Sequence, residues 1–315
     1  VDLTNPQASD DPPTFLIPVG TQVVLRADKP VPGTDEVRPA GSVALVLESP
    51  TTNARPYKVR FVDGLELRVK FGELAVRRRE VADELRTPGE DLRRFVIYRV
   101  TVGSTAFGLA TESSDDDRRG VFLPPAEMTW SLFRPPEQIE YRREGVEEVD
   151  WELEKFLRLA LQANPNLLET LWSPIVLYAD DLGRELRDLR AAFLSRHLYK
   201  TYSGYVLSQF RLMERGQRQT GAYKAKHAMH LIRLLLSGVH ALQTGDIRVD
   251  VGERREELLE IRSGAWPFER VRERALALDR QFQQAFATTR LPERPDYERV
   301  NRFLIRARRR MVREP

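Results

Sequence analysis

"VGSTAFGLATESSDDDRRGVF", residues 102–122, joins two apolar runs through a Gly-Ser pair and three consecutive aspartates. The run before it, "FVIYRVTV" at 95–102, is rich in the β-branched and aromatic residues of a strand. The run that ends it, "RRGVFLP", reads as the entry to another strand. Gly103 lets the backbone approach a phosphate closely, and the Ser104 hydroxyl with nearby N–H groups suits phosphate oxygens. Side chains alternate along an extended segment, so Asp115 and Asp117 share one face and Asp116 takes the other. Two carboxylates on one face suit a hard divalent cation such as Mg²⁺. A bare acidic triplet also reads as a solvated turn; Gly-Ser and the strand context favour a site. Arg119 falls on the Asp115/Asp117 face, where it would touch phosphate, support a carboxylate or balance charge.

Upstream, residues 15–76 contain short alternating or apolar runs ("TQVVLRA", "GSVALVLES", "YKVRFVDG", "LELRVKFGEL") punctuated by Gly, Pro and Asn. Val59 and Phe61 face one way, Lys58 and Arg60 the other, and Asp63-Gly64 suits a hairpin turn. A small SH3-like β-barrel is expected here. Residues 1–14 read as a polar, proline-containing tail without the features of a secretory signal. Residues 77–94 read as a charged linker with a short helix. Downstream, the period changes at about 153, where Leu153, Phe156, Leu157, Ala160 and Leu161 form one helical face. "NPN" at 164–166 interrupts that helix, and nearly everything from 180 onward is helical. Gly245 and Gly264 stand where helix C-caps belong.

Composition narrows the choices. The 315 residues are 41% hydrophobic and 31% charged, enough for a real core and two or three domains. No apolar run approaches the roughly 18 residues of a membrane span. Absence of cysteine excludes disulfides, thiolate nucleophiles and Cys-ligated zinc, and a cytoplasmic location is expected. Seven Lys stand against 43 Arg, and the pI is near 9.1. Arginine forks onto phosphate oxygens, although the bias also fits a GC-rich or thermophilic source.

Gly-Ser, ten intervening residues and Asp-x-Asp on a strand resemble the signature of the DNA polymerase β-type nucleotidyltransferase superfamily. The fuller string, with its aromatic-Gly-Leu and Arg-Gly-Val elements, is similar to a bacterial branch of predicted nucleotidyltransferases. So is "EKFLRLALQANPNLLETLWSP", 154–174. The resemblance covers roughly 95–265. Together with the N-terminal small SH3-like β-barrel expected from the strand pattern, the fold class is α+β: the resemblance implies a central polymerase-β-type core at 95–175, followed by a C-terminal helical domain at 176–315 that closes the cleft. It also implies a third carboxylate on a neighbouring strand. In "EEVDWELEKF", Glu148, Asp150 and Glu152 share a face while Val149 and Trp151 face the core; position relative to the "EKFL" helix favours Asp150, with Glu152 as the fallback.

The implied chemistry is transfer of an NMP from an NTP, ATP favoured, to an acceptor hydroxyl by a two-metal mechanism using Mg²⁺ or Mn²⁺. Asp115, Asp117 and Asp150 would hold the metals, and Gly103 and Ser104 would position the phosphates. Lys226, His230 and Arg233, at i, i+4 and i+7, would present a stripe to the triphosphate, and the Lys-x-x-His helix fits the resemblance. Structural packing of the histidines is the alternative, and the His227/His230 spacing argues against zinc. Tyr202 and Tyr205 suit either base stacking or a core. The basic helix "NRFLIRARRRMVREP" suits a nucleic-acid backbone or solvent. The leading acceptor is a nucleic-acid end, RNA ahead of DNA. A protein or small-molecule acceptor and a non-catalytic module with a degenerate fold are the alternatives.

Overall fold

Alternating strands build the first part of the chain, as that pattern requires. The computed structural model describes residues 16–50, 55–76, 89–112 and 114–312; the expected tail at 1–14 and most of the expected linker lie outside these residues. The chain divides into two compact units, 1–86 and 87–315. In the first, β1 (Gln22–Leu25), β4 (Val43–Glu48), β5 (Tyr57–Phe61), β6 (Glu66–Val69) and β7 (Leu74–Val76) form an antiparallel sheet in the order β6-β5-β4-β1-β7. A separate ribbon pairs β2 (Lys29–Pro30) with β3 (Val37–Arg38). Tyr57, Val59 and Phe61 are buried, whereas Lys58 and Arg60 turn outward onto Glu66. Gly64, at φ +86°, makes the β5–β6 turn. No pairing of β6 with β7 closes this sheet into a barrel among the described residues.

The second unit carries a mixed sheet. Its strands are β8 (Val96–Thr101), β9 (Asp116–Phe122), β10 (Gln138–Arg143), β11 (Val146–Glu152) and β12 (Val176–Ala179), in the order β10-β11-β9-β8-β12. Only the β9–β11 pair is parallel. β12 extends the sheet past the expected boundary at residue 175. The short helices α1 (Gly103–Ala106) and α2 (Ala126–Trp130) lie between strands. Then come α3 (Leu153–Leu161), α4 (Pro165–Trp172), α5 (Asp181–Asp188), α6 (His197–Thr220), α7 (Ala225–Thr244), α8 (Arg255–Arg262), α9 (Phe268–Thr288) and α10 (Tyr297–Arg310).

Local chemistry explains the helix ends. Asn164 accepts from the Asn166 N–H and Pro165 occupies the first turn of α4, so "NPN" ends one helix and starts the next. Gly245, at φ +72°, caps α7 in the left-handed region. The apolar faces share one core running from Ile97 to Ala307, so sheet and helices fold as one body. Each large side chain buried there contributes about 1.5–3 kcal/mol. Helix α7 packs against both α6 and α9. Among the described residues no helix is long and apolar enough to cross a membrane.

Candidate functional site

Strand register assembles the site. In the parallel pair, Asp117 lies level with Glu147 and Arg119 with Val149. Cross-strand neighbours point to the same face. All four residues line a cavity of about 540 Å³. Helices α4, α6 and α7 complete it through Glu169, Tyr205, His230 and Arg233. Small-molecule pockets run to about 300–1,000 Å³.

Gly103 is required twice over. It sits at φ +64°, and a Cβ there would collide with the Asp117 carboxylate. The Val102 N–H donates to the Asp117 carbonyl at 2.8 Å, which sets this approach. Beyond α1, with half-buried Ser104 as its second residue, the chain is clamped by the helical part. Arg255 Nε and Arg262 donate to the carbonyls of Gly108 and Leu109, each at 2.8 Å, and the Val251 N–H donates to that of Phe107 at 3.1 Å. The aromatic-Gly-Leu element is thus the contact between the Gly-Ser turn and residues about 150 positions away in sequence, 147 for the Gly108–Arg255 bond.

The electrostatics single out Asp117. Burial pushes its carboxyl above the usual aspartate range, Glu147 and Asp115 push the same way, and Arg119 and Lys226 oppose them. Asp117 makes no ion pair among the described residues. Glu147 is held by Arg119 at 2.8 Å and approached by Arg142 at 3.8 Å. Asp115 is exposed, just before β9 begins. Among the described residues no three metal-ligating side chains are gathered closely enough to form a ready-made ion site.

The expectation for Asp150 and its fallback Glu152 is corrected. Glu148, Asp150 and Glu152 do share a face, but it is the face turned away from Asp117. Asp150 lies level with Gly120 and is only 2% exposed; a Cβ on Gly120 would collide with its carboxylate. Arg99 binds Asp150 at 2.6 Å and Glu148 at 3.1 Å, and Arg93 also pairs with Glu148. Arg308 holds Glu152 at 2.6 Å while the Glu154 N–H donates to it at 2.8 Å. Burial raises the carboxyls of Asp150 and Glu152, and their arginines pull them back. Val149 and Trp151 line the cavity, and they also belong to the apolar core as expected, Trp151 buried within it and Val149 packed on it. Glu147, which shares parity with Val149 and Trp151, is the carboxylate that the alternation places on the Asp117 face.

The α7 residues reach the cavity unequally. Lys226 is exposed, near enough for its charge to act on Asp117. Burial, then the charges of Arg233 and Lys226, lowers His230 to about 4, so its imidazole is neutral at pH 7. Arg233 is buried, pairs with Glu169 at 2.5 Å and stacks over the Phe107 ring at 3.7 Å. The expected stripe is therefore not three free cations. Tyr202 is fully buried and unable to stack on a base, whereas Tyr205 lines the cavity and accepts from Asn164 Nδ2 at 3.1 Å. His227 turns to Gln209 at 3.0 Å.

Residues 78–306 match the model of the RNA repair pathway DNA polymerase beta family. The chain belongs to that family. Among curated proteins it is similar to the uncharacterized protein YcgL of Bacillus subtilis (strain 168), 35% identical over 115 residues, which are 36% of this chain and 44% of that protein. It is also similar to the uncharacterized protein MJ0002 of Methanocaldococcus jannaschii, 25% identical over 163 residues, 50% of this chain and 65% of that one. The chain thus spans less than two thirds of either relative. Among solved structures, a nucleotidyltransferase-like protein from Exiguobacterium sibiricum 255-15 superposes with a TM-score of 0.29 at 12% identity, covering 66% of this chain and 73% of that one. The family is of the nucleotidyltransferase type, in agreement with the motif at 103–117.

Proposed function

We propose that the cavity binds an NTP with Mg²⁺ or Mn²⁺ and transfers its NMP to the terminal hydroxyl of an RNA. The observation that carries this reading is the level placement of Asp117 and Glu147 on adjacent strands inside a cavity of about 540 Å³. Asp115, Asp117 and Glu147 make an all-oxygen donor set, which fits a hard divalent cation. The mutual repulsion that helps raise the Asp117 carboxyl is what such a cation would relieve. When bound, the cation supplies charge neutralisation on the phosphates and acidifies the attacking hydroxyl. Glu147 would have to part from Arg119 to join that donor set, and the Arg119 guanidinium would then be free for a phosphate oxygen.

Gly103 lets the backbone run against the β- and γ-phosphates, with Ser104 beside it. Lys226 adds positive charge at the mouth, and Tyr205 offers a ring to the base. His230, neutral at pH 7, serves as a hydrogen-bonding group rather than a counter-charge. The acceptor oxygen bonds to the α-phosphorus, the bond to pyrophosphate breaks, and the hydroxyl proton passes to Glu147. The first unit, whose strand order suits a small SH3-like barrel, serves as a binding module. A second reading, a fold that binds nucleotide or RNA without turnover, is favoured by one observation: Arg119 occupies Glu147 at 2.8 Å.

The test is incorporation of label from each of the four α-³²P NTPs into short RNAs, DNAs, protein and small molecules, with wild type beside Asp117→Asn. Metal-dependent label entering RNA and lost in the variant is the expected result. Label entering another acceptor class overturns the RNA assignment. NTP binding without label in any acceptor supports the non-catalytic reading.

A further inference from the structure

Arg233 also lines a second cavity, of about 110 Å³, together with Ser237, His240, Arg248, Asp250 and Arg254. Helix α7 presents Arg233, Ser237 and His240 at i, i+4 and i+7, one face of a helix. The chain that follows α7 supplies the rest. One group there is built in but unsatisfied: Arg233 is 7% exposed and its Nε has no hydrogen-bond partner among the described residues, whereas Ser237, 5% exposed, lies against the Tyr202 hydroxyl. Buried donors of this kind are expected to meet an acceptor.

Charge identifies the acceptor's chemistry. Glu169 already balances Arg233. Arg248 makes no ion pair among the described residues. Arg254 reaches Glu257 only at 3.8 Å, and Arg274 holds that carboxylate at 2.5 Å. Asp250, the acidic group in the wall, accepts the Gly252 N–H at 2.7 Å and lies against Gly108. The wall is left net positive and rich in N–H and O–H donors. At roughly 30 Å³ per water, the space holds about four waters, which suits one tetrahedral oxyanion and excludes a nucleoside. We propose that this second cavity is a binding site for free inorganic phosphate, distinct from the cavity of Asp117 and Glu147, with the guanidinium forks of Arg248 and Arg254 around the ion and the Arg233 guanidinium in the wall behind them. The site does not depend on the reaction proposed above.

The experiment is calorimetric titration of the full chain with sodium phosphate, without divalent cations, chloride balancing the ionic strength. Wild type is expected to show one saturable site. Arg248→Gln/Arg254→Gln weakens it by at least about tenfold. Both arginines are exposed, so the variant keeps its fold, which its Tm verifies. Lys226→Gln/His230→Gln, in the larger cavity, leaves phosphate affinity unchanged, and AMP does not displace the ion. Absence of saturable binding overturns the proposal. So does binding that survives the arginine pair but is lost in Lys226→Gln/His230→Gln, which would place the ion in the larger cavity. Displacement by AMP would show that the ion stands in for a nucleotide phosphate and would overturn the free-phosphate assignment.

Discussion

The two faces of the β10-β11-β9-β8-β12 sheet use the same strands and residue types to opposite ends. On one face Glu148, Asp150 and Glu152 are almost wholly buried, and Arg93, Arg99 and Arg308 neutralise them. On the other, Asp117 has no ion pair among the described residues, and Glu147 shares a solvent-reaching cavity with it. The first set holds β8, β11, α3 and α10 together; its charges are already matched. The second retains unmatched negative charge, which is the condition for drawing a cation and a triphosphate. Carboxylates in alternation are therefore insufficient evidence of a site. What distinguishes them is whether the fold has already given them partners.

The sharpest way to break this comparison is to neutralise one carboxylate on each face. Asp117→Asn and Glu147→Gln are each expected to lower NMP transfer by ~10²–10⁴-fold. Asp150→Asn should keep transfer within about tenfold per folded molecule, yet cost ~1–3 kcal/mol of stability in urea denaturation, because Arg99 loses a buried partner while retaining Glu148. If Asp150→Asn abolished transfer in folded protein, the two faces would have been assigned the wrong way round.

His230 sharpens the comparison through pH. Its native value of about 4 lies below the unfolded 6.5, so the unfolded chain binds the proton first as pH falls. Stability from this group is intact above 6.5 and is lost progressively down to about 4, a change on the order of 2–3 kcal/mol. Denaturation across that range should show the acid-side decline in wild type and a flatter curve in His230→Gln.

Gly103→Ala combines a positive φ with a collision at the Asp117 carboxylate, so a loss of ~1–3 kcal/mol and of transfer is expected. Gly145→Ala shares the strain, at φ +69°, but its Cβ meets open space; it should lose stability and keep transfer. The smallest effect expected is a gain. The raised Asp117 carboxyl makes its ionised form unfavourable in the fold: the favourable contribution is full below the unfolded carboxyl's range and lost as pH rises through the raised native value. Asp117→Asn removes that cost, so its Tm should exceed wild type at pH 7, with the advantage fading in acid.

Much of this arrangement was legible in residues 95–152. Apolar alternation marked β8, β9 and β11, and Gly-Ser followed by Asp-x-Asp marked the turn and one wall of the cavity. Alternation also grouped Glu148, Asp150 and Glu152 correctly. It could not say which face met Asp117, because that depends on the β9–β11 register, a non-local property. Trp151 and Val149 read as core residues and do join the core, but that core also forms a wall of the cavity, which alternation does not show. Likewise the Arg233–Glu169 pair joins residues 64 positions apart, and no local pattern announces it. Tyr202 and Tyr205 are three residues apart on one helix, and only packing against α7 separates the buried ring from the one in the cavity. Gly238 of α7 leaves room for Tyr202 and Phe282.

The central claim is that the face of Asp117 and Glu147, rather than that of Asp150, gathers the cation. Titration with Mn²⁺ in the presence of ATP, followed by loss of the free-ion electron paramagnetic resonance signal, tests it directly. Wild type and Asp150→Asn should bind the ion alike, while Asp117→Asn and Glu147→Gln lose most of that affinity. Undiminished binding in Glu147→Gln together with its loss in folded Asp150→Asn would contradict the account.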